Sequence, residues 1–290
     1  MNIPIAALPP FVILDRSLQD WLIEDIGRGD CTTQNLFPSG TRQNHAVWSV
    51  KEKGVIAGLE IAARVFHLLD QSVSFKALVL EGEACQRGQP IAEIYGSFDA
   101  LLTGERVALN LAMRLSGIAT MTREYVEKIE DLPARLVDTR KTTPGLRLLE
   151  KYATRVGGAV NHRMGLDDAV MIKDNHIAAA GGIGSAIARV RSHIPYPLSI
   201  EVETENLDQV EEALQHQADI IMLDNMSLDL MREAVQRIRQ SNGRIKIEAS
   251  GNVTIETIRA IAETGVDYIS SSAPVTRSPW LDLSMRFVKS

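Results

Sequence analysis

The chain has 290 residues and two cysteines, Cys31 and Cys85. So little cysteine excludes a disulfide framework, leaves no Cys-rich zinc site and fits a reducing compartment. A surplus of positive charge is also missing: 31 Lys and Arg face 37 Asp and Glu, a formal net charge of −6. Proteins that coat nucleic acid are more often basic, so no nucleic-acid partner is expected and any anion-binding surface must be local. No segment approaches the roughly 20 uninterrupted apolar residues of a membrane span. The opening stretch MNIPIAALPPFVIL is apolar, but it lacks a positive flank and Pro4, Pro9 and Pro10 interrupt it, which argues against a signal peptide. A cytoplasmic protein without a membrane partner is the expectation.

What is present suits a globular protein. Apolar residues make up 45% and charged residues 23%, enough to bury a sizeable core over one large or two ordinary domains. The chain changes character near residue 115. Before it, residues 17–26 carry Leu18, Trp21, Leu22 and Ile26 at helical spacing. Residues 44–56 and 73–95 read as short strands separated by turns, and 101–113 and 121–129 as two helices.

After it, strand-like runs at 135–139, 169–173, 198–203, 219–223, 244–249 and 267–271 alternate with helix-like segments at 146–156, 183–192, 206–215, 228–239 and 255–263. That alternation predicts parallel β/α units of the α/β class. Six strands are fewer than the eight of a standard barrel, so a six-stranded barrel competes with an open doubly wound sheet. Period-two alternation puts Glu201 with Glu203, Asp138 with Arg140, and Lys246 with Glu248 and Ser250. A flat sheet covered on both faces would bury those charges in apolar layers, whereas a barrel can pair them with one another and with a ligand at its mouth. The barrel is favoured.

Barrel active sites lie at the C-terminal ends of the strands. In order, those ends read Arg140-Lys141, Lys173-Asp174, Glu203, Asp224-Asn225, Ser250-Gly251-Asn252 and Ser270-Ser271-Ser272. Residues 140–173 hold seven Lys/Arg against three acids, a local +4 in an acidic chain. Arg147, Lys151 and Arg155 recur every four residues and read as a solvated helical face. Arg140, Lys141 and Lys173 end strands, and His162-Arg163 follow a glycine break, so they read as a pocket for a dicarboxylate. Glu203 and Asp224 suit Mg²⁺ carried in with a polyphosphate, or else a salt bridge to Lys173 or Lys141. The small turn at 249–253 precedes an expected helix whose N-terminus can bind phosphate, and the Ser270–Ser272 turn is its companion.

The motifs DTRKTTPGLR (138–147), EKYA (150–153), NHR (161–163) and IKDNHI (172–177) together closely resemble the quinolinate phosphoribosyltransferase family. The likeness continues in EDIGRGD (24–30), GERVALN (104–110), SGIAT (116–120), MLDN (222–225) and EASG (248–251). The resemblance implies an N-terminal α/β sandwich domain (1–114, rejoined by 276–290) and an incomplete, about six-stranded β/α barrel (115–275). It implies a glycosyltransferase that converts quinolinate and phosphoribosyl pyrophosphate to nicotinate mononucleotide, pyrophosphate and CO₂ with Mg²⁺, in NAD biosynthesis. Quinolinate contacts would fall on Arg106, Thr139, Arg140, His162, Arg163 and Lys173, with Lys141 at the reacting centre. Glu203 and Asp224 would act on the ribose and hold the metal, and Ser250, Gly251, Asn252, Ser270, Ser271 and Ser272 would hold phosphate. A homodimer or higher oligomer with a shared site is implied, Arg106 reaching into the partner.

Three positions depart from the family's pattern: Asn252 where a second glycine is common, Arg277 in the Ser270–Arg277 turn where histidine is common, and Ala159 where a glycine is common. Competing readings are a related phosphoribosyltransferase, such as the nicotinate enzyme or a molybdate-transport-associated protein, a Schiff-base aldolase using Lys173, and a non-catalytic binding module.

Overall fold

The computed structural model describes residues 6–37 and 42–288. Pro4 and the last two residues of the expected 276–290 segment lie outside them. In chain order the elements are α1 (Phe11–Ile26), α2 (Cys31–Leu36), β1 (Gln43–Val50), β2 (Gly54–Val55), α3 (Leu59–Leu69), β3 (Ser74–Ala77), β4 (Ala84–Cys85), β5 (Pro90–Ser97) and α4 (Phe98–Glu127). Next come β6 (Arg135–Val137), α5 (Arg147–Gly157), β7 (Val170–Ile172), α6 (Asp174–Ala180), α7 (Ile183–Arg191), β8 (Ile200–Thr204), α8 (Leu207–Gln215) and β9 (Ile220–Asp224). The chain ends with α9 (Leu228–Ser241), β10 (Lys246–Ser250), α10 (Ile258–Ala262), β11 (Tyr268–Ser270), α11 (Ala273–Thr276) and β12 (Leu283–Phe287).

Two compact units result. The first combines Met1–Arg123, Thr143–Gly158 and Ser278–Ser290; the second combines Glu124–Thr142 and Ala159–Arg277. The expected boundary at 114/115 and the uninterrupted span 115–275 differ from this division, because 115–123 and the helix α5 pack with the first unit.

In the first unit an antiparallel sheet runs β12-β1-β5-β3. The C-terminal strand closes its edge, with Trp48 opposite Met285. Trp48 is fully buried and meets the rings of Phe66 on α3 and Phe75 on β3. The two helices read from sequence at 101–113 and 121–129 form one continuous helix, α4, over 98–127. Gly117 serves close approach: a Cβ there would lie 1.9 Å from the Pro279 carbonyl oxygen.

The helix α5 also departs from expectation. Arg147, Lys151 and Arg155 do not make a solvated face, since Lys151 is fully buried and the other two are half-buried. Glu150, fully buried on the same helix, accepts Arg114 Nη2 at 2.8 Å and the N–H of Thr143 at 2.8 Å, while Arg114 Nη1 donates to Ser278 Oγ at 3.0 Å. That ion pair joins the three chain segments of the unit.

The second unit is a six-stranded parallel sheet in the order β6-β11-β10-β9-β8-β7. Neighbours follow chain order except that the last strand, β11, pairs with the first, β6, which is the closing step of a barrel; an interior reversal, the mark of a doubly wound sheet, is missing. Val160 adds a parallel bridge to Val137 beside β6. All six strands fall on the runs expected from sequence; β6, β7 and β11 lie inside them, and β8, β9 and β10 each extend one residue past the C-terminal end.

Breaking one side of a buried ion pair is strongly destabilising, whereas replacing both sides with apolar groups is far less so. Arg114→Met should therefore lower the unfolding free energy by about 3 kcal/mol in urea titrations, and adding Glu150→Met should recover part of it. A double variant at least as unstable as Arg114→Met would reject this account.

Candidate active site

The strand ends of the second unit surround a cavity of about 740 Å³. Thr139, Arg140, Lys141, His162, Arg163, Lys173, Glu203, Asp224, Ser250, Gly251, Asn252, Ser270, Ser271 and Ser272 all line it. Each strand contributes, because in parallel strands that converge at one end the residues just past the last ladder bonds face the same opening. Arg106 is not among them. It is exposed on α4 and lines a separate cavity of about 490 Å³ in the first unit, beside Trp21, Glu24 and Trp280.

The cations are held at different depths. Lys141 is exposed, and its N–H donates to Thr139 Oγ1 at 3.0 Å in the turn after β6. Arg140 has a buried Nε with no hydrogen-bond partner among the described residues. Arg163 donates Nη1 to the Ala169 carbonyl at 2.9 Å. Burial, and then the nearby Arg140 charge, hold the Arg163 pKa below its ordinary value. Two guanidinium groups in one cavity thus weaken each other, a repulsion that a doubly negative ligand would relieve.

His162 sits below them. Its Nε2 lies 3.2 Å from Glu201 Oε2 and 3.3 Å from Glu248 Oε2, and its Nδ1 accepts the N–H of Arg163 at 2.7 Å. Burial opposes charge on the ring, but the two carboxylates outweigh it and raise its pKa to about 10. The Nδ1 contact belongs to the neutral ring, whose one proton lies on Nε2 between the carboxylates. Glu201 itself is pushed up by burial, against the pull of His162. Asp138, also buried, fixes this segment by accepting the His162 N–H at 2.9 Å and Asn161 Nδ2 at 2.5 Å.

The acids Glu203 and Asp224 lie at the ends of the neighbouring strands β8 and β9. Lys173 Nζ is ion-paired with Glu203 Oε2, the pairing weighed from sequence. Asp224 Oδ2 accepts Asn225 Nδ2 at 2.7 Å.

The helix expected directly after the 249–253 turn begins only at Ile258 and is five residues long, because Thr254 and Thr257 first cap each other in a turn. Phosphate binding by that helix terminus has no support; the turn itself offers a tighter cradle. Gly251 has φ 99°, and a Cβ on it would lie 2.2 Å from Asn225 Oδ1. Asn225 and Asn252 are left-handed at φ 52° and 49°, and Asn252 Nδ2 donates to Asn225 Oδ1 at 3.1 Å. Asparagine enters this region more readily than most residues, so Asn252 supplies the backbone shape that glycine supplies elsewhere. Ala159 is not among the positive-φ residues, so it needs no glycine.

In the other turn, the Ser271 hydroxyl is occupied by backbone, donating to Val253 O and accepting the Ala273 N–H. Arg277, at the end of α11, and Thr254, Thr276, Asn225 and Glu248 also line the cavity. Sequence reading did not assign them. Three carried a signal: Asn225 at a strand end, Glu248 on a charged strand face, and Arg277 as a cation in the turn that begins at Ser270.

Gly251→Ala should crowd Asn225 and weaken binding of pyrophosphate by roughly tenfold or more, since small displacements in such sites are costly. Gly88→Ala is the control: it has a similar positive φ but open space around a Cβ. Equal calorimetric affinities for both variants would overturn this role of Gly251.

Comparison with known proteins agrees in both units. The family profile described as quinolinate phosphoribosyl transferase, N-terminal domain, matches residues 30–116, and that of the C-terminal domain matches 118–286. The chain is 62% identical over 286 residues to a probable nicotinate-nucleotide pyrophosphorylase (carboxylating) from Synechocystis sp., covering 99% of this chain and 96% of that protein. It is 46% identical to the Bacillus subtilis protein of the same description, covering 94% and 92%. The crystal structure of NadC from Streptococcus pyogenes superposes with a TM-score of 0.91 at 43% identity, covering 98% of this chain and 100% of that one. With both domains matched in order along nearly the whole chain, this protein belongs to the quinolinate phosphoribosyltransferase family.

Proposed function

We propose that this chain transfers the phosphoribosyl group of phosphoribosyl pyrophosphate to quinolinate with decarboxylation, giving nicotinate mononucleotide, pyrophosphate and CO₂ in de novo NAD biosynthesis. The observation that carries this reading is the cavity's pairing of opposite chemistries: Arg140, Arg163 and Lys173 for a dianion, and Glu203 and Asp224 for a group that becomes positive. Quinolinate has two carboxylates, and arginine binds each in bidentate fashion. A monocarboxylate would leave part of the cation cluster unused, which favours quinolinate over nicotinate.

Departure of pyrophosphate leaves positive charge at the ribose C1, and Glu203 and Asp224 stabilise it electrostatically. Loss of CO₂ beside the ring nitrogen leaves a carbanion, tolerable once ribosylation has made that nitrogen cationic, and a proton from water then completes the ring C–H of the product. Ribosyl transfer therefore precedes decarboxylation, while Arg140, Arg163 and Lys173 orient the dianion and Lys141 sits at the reacting centre. The two carboxylates offer the hard oxygen donors that Mg²⁺ takes, too few to enclose it, so Glu203 and Asp224 would share the ion with phosphates and water. Bound there, Mg²⁺ supplies charge neutralisation of the polyphosphate. In the aldolase reading Lys173 would act as a neutral amine; its ion pair with Glu203 speaks against that role.

The protein acts, in this reading, as a cytoplasmic homodimer with shared sites. Arg106 is exposed while its neighbours Val107, Leu109 and Leu111 are buried, so it is presented outward from a packed helix, available to a second copy.

The direct assay is release of CO₂ and pyrophosphate from quinolinate and phosphoribosyl pyrophosphate. Asp224→Asn should lower that turnover by on the order of 10²-fold or more; full activity of the variant at saturating substrates and Mg²⁺ would remove Asp224 from the mechanism. For the shared site, inactive Arg106→Ala and Lys141→Ala chains are mixed and allowed to re-pair. In trans action, half the dimers are mixed and half their sites are intact, so about a quarter of wild-type activity should return. Continued inactivity after demonstrated subunit exchange would place Arg106 in its own chain's chemistry or outside it.

A further inference from the structure

Glu201 on β8 and Glu248 on β10 are both buried, and both turn Oε2 onto the same atom, His162 Nε2. The Oε1 atom of each is buried with no hydrogen-bond partner among the described residues. Two buried carboxylates that share one imidazole, each with an oxygen left over, are a poor device for stability. Replacing such a cluster with packed apolar side chains is often neutral or stabilising. Its geometry points elsewhere. The ring is held at Nε2 by the carboxylates and at Nδ1 by the N–H of Arg163. The His162 N–H is held by Asp138, and the Arg163 guanidinium by the Ala169 carbonyl. Glu201 also favours the charged form of Arg163, offsetting part of its burial. Segment 162–163 is therefore pinned at its backbone, its ring and its guanidinium, and the ring restraint is the one that Glu201 and Glu248 supply.

We propose that Glu201 and Glu248 are positioning residues for the dicarboxylate: by clamping the His162 ring through Nε2, they set the pose in which Arg163 receives the substrate's carboxylate. This rests on the reading that the cavity takes quinolinate. The phosphoribosyl half of the cavity, lined by Gly251 and the 270–272 turn, does not depend on the clamp.

The test compares Glu248→Leu with Glu248→Gln in the full-length enzyme. The leucine removes the acceptor and should raise KM for quinolinate by about tenfold or more, as a misplaced binding group does. KM for phosphoribosyl pyrophosphate should move less than about twofold, and the melting temperature should hold or rise. The glutamine keeps an oxygen that accepts the Nε2 proton and should restore most of the quinolinate KM. Both KM values rising together, or glutamine performing no better than leucine, would overturn the proposal. A second readout needs no turnover: imidazole ¹⁵N spectra, with the His162 signal assigned by its loss in His162→Gln. At a pH above the ring's pKa, the neutral wild-type ring should carry its proton on Nε2 with Nδ1 accepting, and Glu201→Leu/Glu248→Leu should abolish that fixed signature. A wild-type ring protonated on Nδ1 alone would overturn the clamp. If wild-type enzyme failed to turn over quinolinate, the substrate reading would fall while the spectra still judged the clamp.

Discussion

The structure of the catalytic unit depends on charge that cannot leave the inner face of its sheet. Strands of period two place Glu201 and Glu203, or Glu248 and Ser250, on the same side, and a buried carboxylate without a partner costs more than most single interactions return. Each buried acid is met, Glu201 and Glu248 by His162 and Asp138 by Asn161 and the His162 N–H, and the half-buried Glu203 is met by Lys173. Satisfying them requires strands to converge, and the convergence creates the cavity. Cations that pair the acids face the same opening as Arg140 and Lys141, which have no ion pair among the described residues.

The cradle at the other side of the cavity follows from backbone shape. Gly251, Asn225 and Asn252 are all left-handed, and the Asn225–Asn252 side-chain bond ties the turn after β9 to the turn after β10. A stable positive φ at two asparagines needs that mutual support. The replacement of a glycine by Asn252 is thus accommodated within the turn.

The first unit shows why chain order and packing diverge. Its sheet takes its edge strand, β12, from the C-terminus, and its helix α5 from the middle of the chain. The Arg114–Glu150 pair, with Ser278 and Thr143 as further partners, brings those segments together. Glu150 also accepts the N–H and the hydroxyl of Thr143, fixing the start of the segment that leads into α5.

Periodicity by itself determined the six parallel strands, their order in the chain and which of their residues share a face, because alternation is a local property of extended backbone. Strand-end residue types likewise marked a site for an anion beside a pair of acids, and fourteen of the assigned positions do line one cavity. Local pattern had no access to the rest. Residues 114–120 look like a gap between two helices until Pro279, distant in sequence, is seen to need the space of the Cβ that Gly117 lacks. Arg147, Lys151 and Arg155 look solvated until α5 is buried on nearly every side. The 249–253 turn looks like a helix start until Thr254 and Thr257 cap each other. Glu201 and Glu248 are unremarkable alternating residues until two strands, with β9 between them, aim both at one imidazole. What only the tertiary structure decided was which charges meet, since partners separated by tens of residues are chosen by the convergence of strands and by the cost of leaving any of them buried alone.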